Sequence, residues 1–356
     1  MSPQAPPSRD PVPSPYEPPL AARALSALQR EMSTALLLVL VVASSILSPT
    51  FLSRANMQNL ADQLPVFGVL AAGQMLVILS GGIDLSVGSL VALGAFFAAV
   101  LSYHGVVAAV LGPVLICGLI GLVNGIGVAY TRVPAFIITL AMLSVARGAA
   151  LQAAAVYHGG SITGSGAAPV SADGTGGFKS VSEGSWLGVP TGAYIMVAVF
   201  IAVAYALRYT RFGRHIFAVG GNETAAALLG VRVRRVKLGI YSLSGALAGL
   251  GGVLLASRVL SAPPTAAQGY ELDAITAVVV GGTLLTGGVG SVRGTVVGLL
   301  IIGILPNVFN LLSLDAAWQQ VARGSILLAV VVLQLVVLPG TRIGGIKARA
   351  GQPVAG

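Results

Sequence analysis

The chain is poor in the residues that most often do chemistry: one cysteine, three histidines and only 9% charged side chains in 356 residues. Each shortage excludes something. Cys117 alone forms no intrachain disulfide and supplies no cysteine-rich metal site. His104, His158 and His215 stand far apart, in connections or at the ends of apolar runs. No cluster of His and carboxylate for a metalloenzyme is therefore expected, and no nucleophile with a base beside it, so no catalytic and no metal-ligating residue is assigned. None of the three lysines follows a glycine, so the Gly-x-x-x-x-Gly-Lys-Ser/Thr loop that cradles ATP phosphates is missing. A soluble domain has about a quarter of its residues charged, which excludes a soluble fold here.

What is abundant points one way. Hydrophobic residues make up 55% of the chain, glycines number 47 and the mean hydropathy is +0.90, the composition of a polytopic all-α membrane protein whose glycines let helices approach closely. Spans are expected at about 34 to 52, 64 to 80, 86 to 103, 107 to 129, 134 to 156, 191 to 207, 237 to 257, 272 to 288, 294 to 312 and 322 to 339. That is about ten transmembrane helices. Residues 1–32 are expected to be a disordered cytoplasmic tail, because the first 20 hold eight prolines and no apolar segment. Residues 33–340 form the transmembrane domain and 341–356 a second cytoplasmic tail. The net charge of +9 is an orientation signal, not a nucleic-acid footprint, because most basic residues flank apolar spans. With the N-terminus inside, Arg132, the arginines from 208 to 235, Lys237 and Arg293 fall on the cytoplasmic side, against Arg54, Lys179 and Arg258 outside. Both termini are thus expected in the cytoplasm.

Polar residues inside the spans are the candidates for function, since intramembrane polar groups are costly to keep. Asp84, in Gly82-Ile83-Asp84-Leu85-Ser86, is expected either to cap the helix restarting there or to line a central path. Arg147 lies about halfway along the fifth span and must pair or face water. Gln74, Asn124 and Asn307 are pathway candidates of the same kind, with helix-to-helix hydrogen bonding as the plainer role. Ser80-Gly81-Gly82-Ile83 is echoed by Thr286-Gly287-Gly288-Val289, each placed where an apolar helix ends. The connection from 157 to 190 carries Phe178 and Trp186 and reads as a loose loop or a small lid.

The segment from Arg211 to Val231 is the most informative. Gly220-Gly221 breaks the chain, Asn222 is a good N-cap, Glu223 suits the positive end of a helix dipole, and Ala225 to Leu229 continue a short helix closed by Gly230. Such a helix outside the bilayer would fit a cleft on a cytosolic partner, or lie on lipid headgroups.

These residues, with Gly81 to Ser89, Pro134 to Leu140, Ala146-Arg147-Gly148, Leu243 to Gly249 and Gly269 to Ile275, carry a resemblance that runs from about Thr34 to Leu338. The chain resembles the permease subunits of bacterial ribose-type sugar ABC transporters. The resemblance implies a monosaccharide importer working by alternating access, with two permease copies or two related ones, a cytosolic ABC ATPase that holds ATP and Mg, and an extracytoplasmic solute-binding protein. It implies no cofactor in this chain. By the same resemblance Gly221, Asn222, Glu223, Thr224, Ala225, Ala226, Leu229 and Gly230 form the contact with the ATPase, with Thr224 standing where the family's signature has Glu. Another small polar solute (a nucleoside, a polyol, an autoinducer) or an ion-coupled carrier remain the alternatives, the latter disfavoured by the shortage of buried titratable groups.

Overall fold

The computed structural model describes residues 20–160, 166–171 and 175–337. Its helices are α1 (Leu20–Leu47), α2 (Arg54–Leu79), α3 (Val87–Leu101, continued by a 3-10 turn at Ser102–His104), α4 (Val106–Tyr130), α5 (Ala135–Tyr157), α6 (Thr175–Glu183), α7 (Thr191–Tyr209), α8 (Arg211–Gly221), α9 (Glu223–Leu228), α10 (Val233–Val259), α11 (Tyr270–Val280), α12 (Val292–Leu311) and α13 (Ala316–Val337). Among the described residues the only strands are four of two residues each: β1 (Ala168–Pro169), β2 (Ser185–Trp186), β3 (Val189–Pro190) and β4 (Ser261–Ala262). The all-α architecture is as expected. Seven helices in the described residues are long and apolar enough to cross a bilayer: α2, α3 with its 3-10 turn, α4, α5, α7, α10 and α12. The apolar part of α1, Ser33–Leu47, is shorter.

Three expectations change. α1 begins at Leu20, so residues 20–32, expected in the disordered tail, are helical; residues 1–19 and the tail from 341 lie outside the described residues. The run expected as a helix over 272 to 288 stops at Val280, where Gly281 caps it and Gly282 takes a φ of +87°. At 11 residues α11 is about 16 Å long, half the hydrocarbon thickness. The connection from 157 to 190 is no loose loop in its described part. β1 pairs antiparallel with β4, Phe178 of α6 is fully buried, and the Ser257 hydroxyl of α10 donates to the Phe178 carbonyl at 2.6 Å while accepting from the Ser182 N–H at 3.0 Å. Trp186 stays exposed and packs on Tyr194.

α10 is the hub, packed against α2, α3 and α4. Lipid offers no hydrophobic drive for helix association, so backbones must approach closely enough for dispersion to hold them. A Cβ on Gly121 of α4 would meet Gly245 of α10 at 3.0 Å, one on Gly249 of α10 would meet the Pro113 carbonyl at 2.5 Å, and one on Gly252 would meet the Ala95 nitrogen of α3 at 2.5 Å. The run Leu243 to Gly249 is thus the seam between α10 and α4. α11 and α12 are joined the same way, with Gly281 against Gly294 and Ala277 against Gly298. Large apolar side chains on α4 (Leu111, Leu115, Leu119), α5 (Phe136, Leu140) and α7 (Val197, Ile201) point outward and remain exposed, as surfaces facing lipid or another apolar subunit do.

Candidate functional site

Between α2 and α3 the chain leaves the helix for seven residues, Ser80 to Ser86. Gly81 makes the turn with a φ of +80°, a backbone conformation that favours glycine. Asp84 sits in this break, fully buried. Its Oδ1 accepts from the Ser86 N–H at 3.0 Å and the Ser86 hydroxyl at 2.6 Å, and its Oδ2 accepts from the Ser244 hydroxyl of α10 at 3.0 Å. The carboxyl therefore closes an Asx turn that ends two residues on, at α3's N-cap Ser86, instead of capping the helix itself. The Gln74 amide, oriented so that its nitrogen donates to the Asp84 carbonyl at 3.1 Å and its oxygen accepts from the Asp84 N–H at 3.3 Å, satisfies the backbone of the same residue. The Asn124 amide of α4 donates to the Ser86 hydroxyl at 2.9 Å. Unwound backbone inside a membrane protein is tolerated only where such partners replace the lost helix bonds.

The structure thus brings Gln74, Asp84 and Asn124 together and keeps Arg147 and Asn307 apart from them. Arg147 of α5 is half-buried and donates to the carbonyls of Pro264 at 3.0 Å and Ala266 at 2.8 Å, pinning the segment that leads into α11. Glu271 is close enough for an electrostatic contact with it, and Glu271 itself packs on Gly88 at the start of α3. Asn307 of α12 forms a reciprocal amide pair with Asn56 of α2, at 2.7 and 3.0 Å, and Asn56 also donates to the Phe51 carbonyl at 2.7 Å. Asn56 lies at the opposite end of α2 from Asp84. Asn56 stands among other polar residues, Arg54, Gln58, Asn59 and Asp62, and nothing there marked it as Asn307's partner, because pairing across 251 positions is set by tertiary packing.

At the end of the bundle where α2 stops, α8 and α9 form a helical knuckle joining α7 to α10. The Asn222 side chain accepts from the Ala225 N–H at 2.9 Å, and Gly230 closes α9 with a φ of +82°, as the sequence implied. α8 was not foreseen. It is a regular helix of 11 residues, N-capped by Thr210 and burying Ile216 and Val219, and the Gly220-Gly221 pair ends it. Phe212, Ile216 and Val219 at helical spacing were the missed signal. Asn222, Glu223, Thr224, Ala225, Leu229 and Gly230 are exposed, Gly221 is partly covered and Ala226 is buried. Glu223 is held by the Lys237 ammonium of α10, at 2.7 and 2.8 Å to its two oxygens, so its carboxylate already has a partner within the chain. Among the described residues the most exposed large apolar side chains are Leu229, 85% accessible, and its neighbour Leu228, 83%. Leu228 was not among the sequence candidates.

No group of three or more His, Cys, Asp or Glu among the described residues is arranged to hold a metal ion. A bundle of apolar helices broken at a buried polar turn, with a rigid knuckle presented beyond one end, is the construction of a multi-pass membrane permease. Residues 56–331 match the family described as "Branched-chain amino acid transport system / permease component", and the chain belongs to it. It is similar to the ribose import permease protein RbsC of Escherichia coli (strain K12), 44% identical over 308 residues, 86% of this chain and 94% of that one. It is similar also to the RbsC of Bacillus subtilis (strain 168), 43% over 83% of this chain and 90% of that one. The L-arabinose ABC transporter permease protein AraH of Azospirillum brasilense is 38% identical over 83% of this chain and 84% of its own. No solved structure matches the chain.

Proposed function

We propose that this chain forms the translocation pathway of an ATP-driven importer of a monosaccharide of the ribose or arabinose class, as one of two permease copies in the cytoplasmic membrane. Ten membrane-embedded helices, with α11 crossing only part of the bilayer, would place both termini in the cytoplasm. α8 and α9 lie on that side, among the basic residues Arg208, Arg211, Arg214 and Arg232 to Lys237. A cytosolic ATPase holding ATP and Mg supplies the energy, and an extracytoplasmic binding protein delivers the sugar to the opposite face, near α6 and the β1–β4 ribbon. Ligand-driven opening then alternates between the two sides. A nucleoside or polyol would use the same machinery.

The observation that carries the coupling is α9: two adjacent leucines, both more than four-fifths exposed, on a helix braced by the Asn222 cap and the Glu223–Lys237 pair. Burying each leucine in a partner's cleft contributes about 1.5–3 kcal/mol. Leu228→Asp and Leu229→Asp should each weaken co-purification of the ATPase by about tenfold or more. Uptake of labelled D-ribose or L-arabinose into proteoliposomes is expected only with ATP, ATPase and binding protein together. Uptake by the chain alone under a proton or sodium gradient would refute the reading.

A further inference from the structure

Three glycine pairs that lie far apart in sequence meet at one point: Gly81-Gly82 after α2, Gly220-Gly221 at the end of α8, and Gly287-Gly288 in the turn between α11 and α12. The Gly288 N–H donates to the Leu79 carbonyl at 2.9 Å, satisfying one of the carbonyls that the end of α2 leaves without a helical partner. Gly220 lies directly on this bond. A Cβ there would collide with the Leu79 oxygen and stand 2.6 Å from the Gly288 nitrogen. A Cβ on Gly288 would stand 2.8 Å from the Gly221 Cα, and one on Gly287 2.7 Å from the Gly81 nitrogen and 3.0 Å from the Gly220 oxygen. The echo between residues 80–83 and 286–289 therefore marks two turns that touch each other and the same helix end.

We infer that this junction transmits the motion of α8–α9 into the membrane, with Gly220, Gly287 and Gly288 as positioning residues for transport; the inference rests on the reading that α9 docks on the ATPase. Apart from Gly213, which packs on the backbone of Ala206 and Leu207 where α7 ends, α8 meets the bundle elsewhere through side chains such as Phe212, Ile216 and Val219, which absorb small displacements by changing rotamer. At the junction backbone meets backbone with no side chain between, so a shift of α8 displaces the Leu79–Gly288 bond or breaks it. Beyond Leu79 lies the break that holds Asp84, and beyond Gly288 lies the start of α12. One displacement thus reaches both turns together.

The test uses the complete transporter in proteoliposomes, with ATP hydrolysis, bound ATPase and uptake of labelled D-ribose and L-arabinose measured on the same vesicles. Gly220→Ala and Gly288→Ala should retain the ATPase and hydrolyse ATP within about twofold of the parent while uptake falls about tenfold. Gly239→Ala, whose added methyl meets only the edge of the Phe212 ring at 3.2 Å, should leave uptake unchanged. Uptake retained in Gly220→Ala, or ATPase binding lost together with uptake, overturns the inference. The docking reading fails separately, if Leu228→Asp keeps its ATPase. Should the alanine variants not accumulate, hydrogen exchange of the parent complex decides. ATP should change exchange at residues 79–82 and 286–289 together with 218–224, and a change confined to 218–224, or none, overturns it.

Discussion

Removing the Asp84 carboxyl tests whether the break is held by the network described above. Asp84 accepts three hydrogen bonds, from the Ser86 N–H, the Ser86 hydroxyl and the Ser244 hydroxyl. At about 1 kcal/mol net for each buried bond between membrane helices, Asp84→Ala should cost roughly 3 kcal/mol, because it also strands the Ser86 N–H. Asp84→Asn keeps the shape: its carbonyl oxygen still accepts from Ser86, and its amide donates to a Ser244 hydroxyl turned to accept, for a loss of about 1 kcal/mol. Ser244→Ala leaves Oδ2 buried with its one partner removed and should cost about 2 kcal/mol. At about 2 °C per kcal/mol for a chain of this size, thermal unfolding in detergent should order the variants as parent, Asp84→Asn, Ser244→Ala, Asp84→Ala. Asp84→Ala combined with Ser244→Ala should cost less than the sum of the two, because both delete the same bond. A melting point for Asp84→Ala no lower than that of Asp84→Asn would refute the reasoning.

Gly245→Leu should prevent assembly of the bundle, since its side chain would be driven into the Cys117 carbonyl and Gly121 of α4; a loss above about 4 kcal/mol would appear as no monodisperse protein on size exclusion. Asn56→Ala and Asn307→Ala should each destabilise by about 1–2 kcal/mol, with a coupling near 1 kcal/mol in the double variant, read from thermal melts. Arg147→Lys should recover only part of the loss in Arg147→Gln, because one compact ammonium replaces a guanidinium whose Nη1 spans two carbonyls. Limited proteolysis between β4 and α11 reports it. Lys237→Met removes one brace of α9, an ion pair that is half in solvent and worth under about 1 kcal/mol, so ATPase co-purification should fall by less than about fivefold.

The sequence marked those features whose physics is local. Asn222 reads as a cap because its side chain serves an N–H three residues on, and Gly230 reads as a stop because only a left-handed turn follows. The polar break was visible because Asp84 lies among glycines and serines where an apolar run ends. Where every residue is apolar, periodicity carries no information: Ala277 to Val280 looks the same as Leu284 and Leu285, and only Gly281-Gly282 marks where α11 stops. The tertiary partners of Asn307 and Arg147 were out of reach for another reason. Both are satisfied by groups more than a hundred positions away, and in Arg147's case by backbone carbonyls that any residue could provide. Leu228 was hidden by its type, since a leucine in an apolar chain attracts no notice until the fold leaves it in water.

The glycines also show where the molecule can and cannot yield. α3, α4 and α10 are joined by backbone contacts at Gly94, Gly121, Gly125, Gly245, Gly249 and Gly252, and α11 is joined to α12 at Gly281, Gly294 and Gly298. Between these two bodies, α2 meets α12 through side chains, with Gly68 facing Leu299 and Gly303 facing Leu64. Side-chain contacts allow small sliding, whereas a glycine seam either holds or separates. For the alternating access proposed above, the expected division is α11–α12 moving against the body centred on α10. The Asn56–Asn307 pair and the Leu79–Gly288 bond lie at opposite ends of the boundary. A motion that opens one end of a boundary between rigid bodies tends to close the other, so strengthening the amide pair should arrest transport as surely as breaking the glycine junction. A short reducible bis-thiosulfonate cross-linker on Asn56→Cys and Asn307→Cys in a Cys117→Ser background is the direct trial, because a reciprocal amide pair holds the two Cβ atoms farther apart than the about 4 Å that a disulfide needs: cross-linking should stop uptake and reductant restore it, while full uptake in the cross-linked protein would place the moving boundary elsewhere.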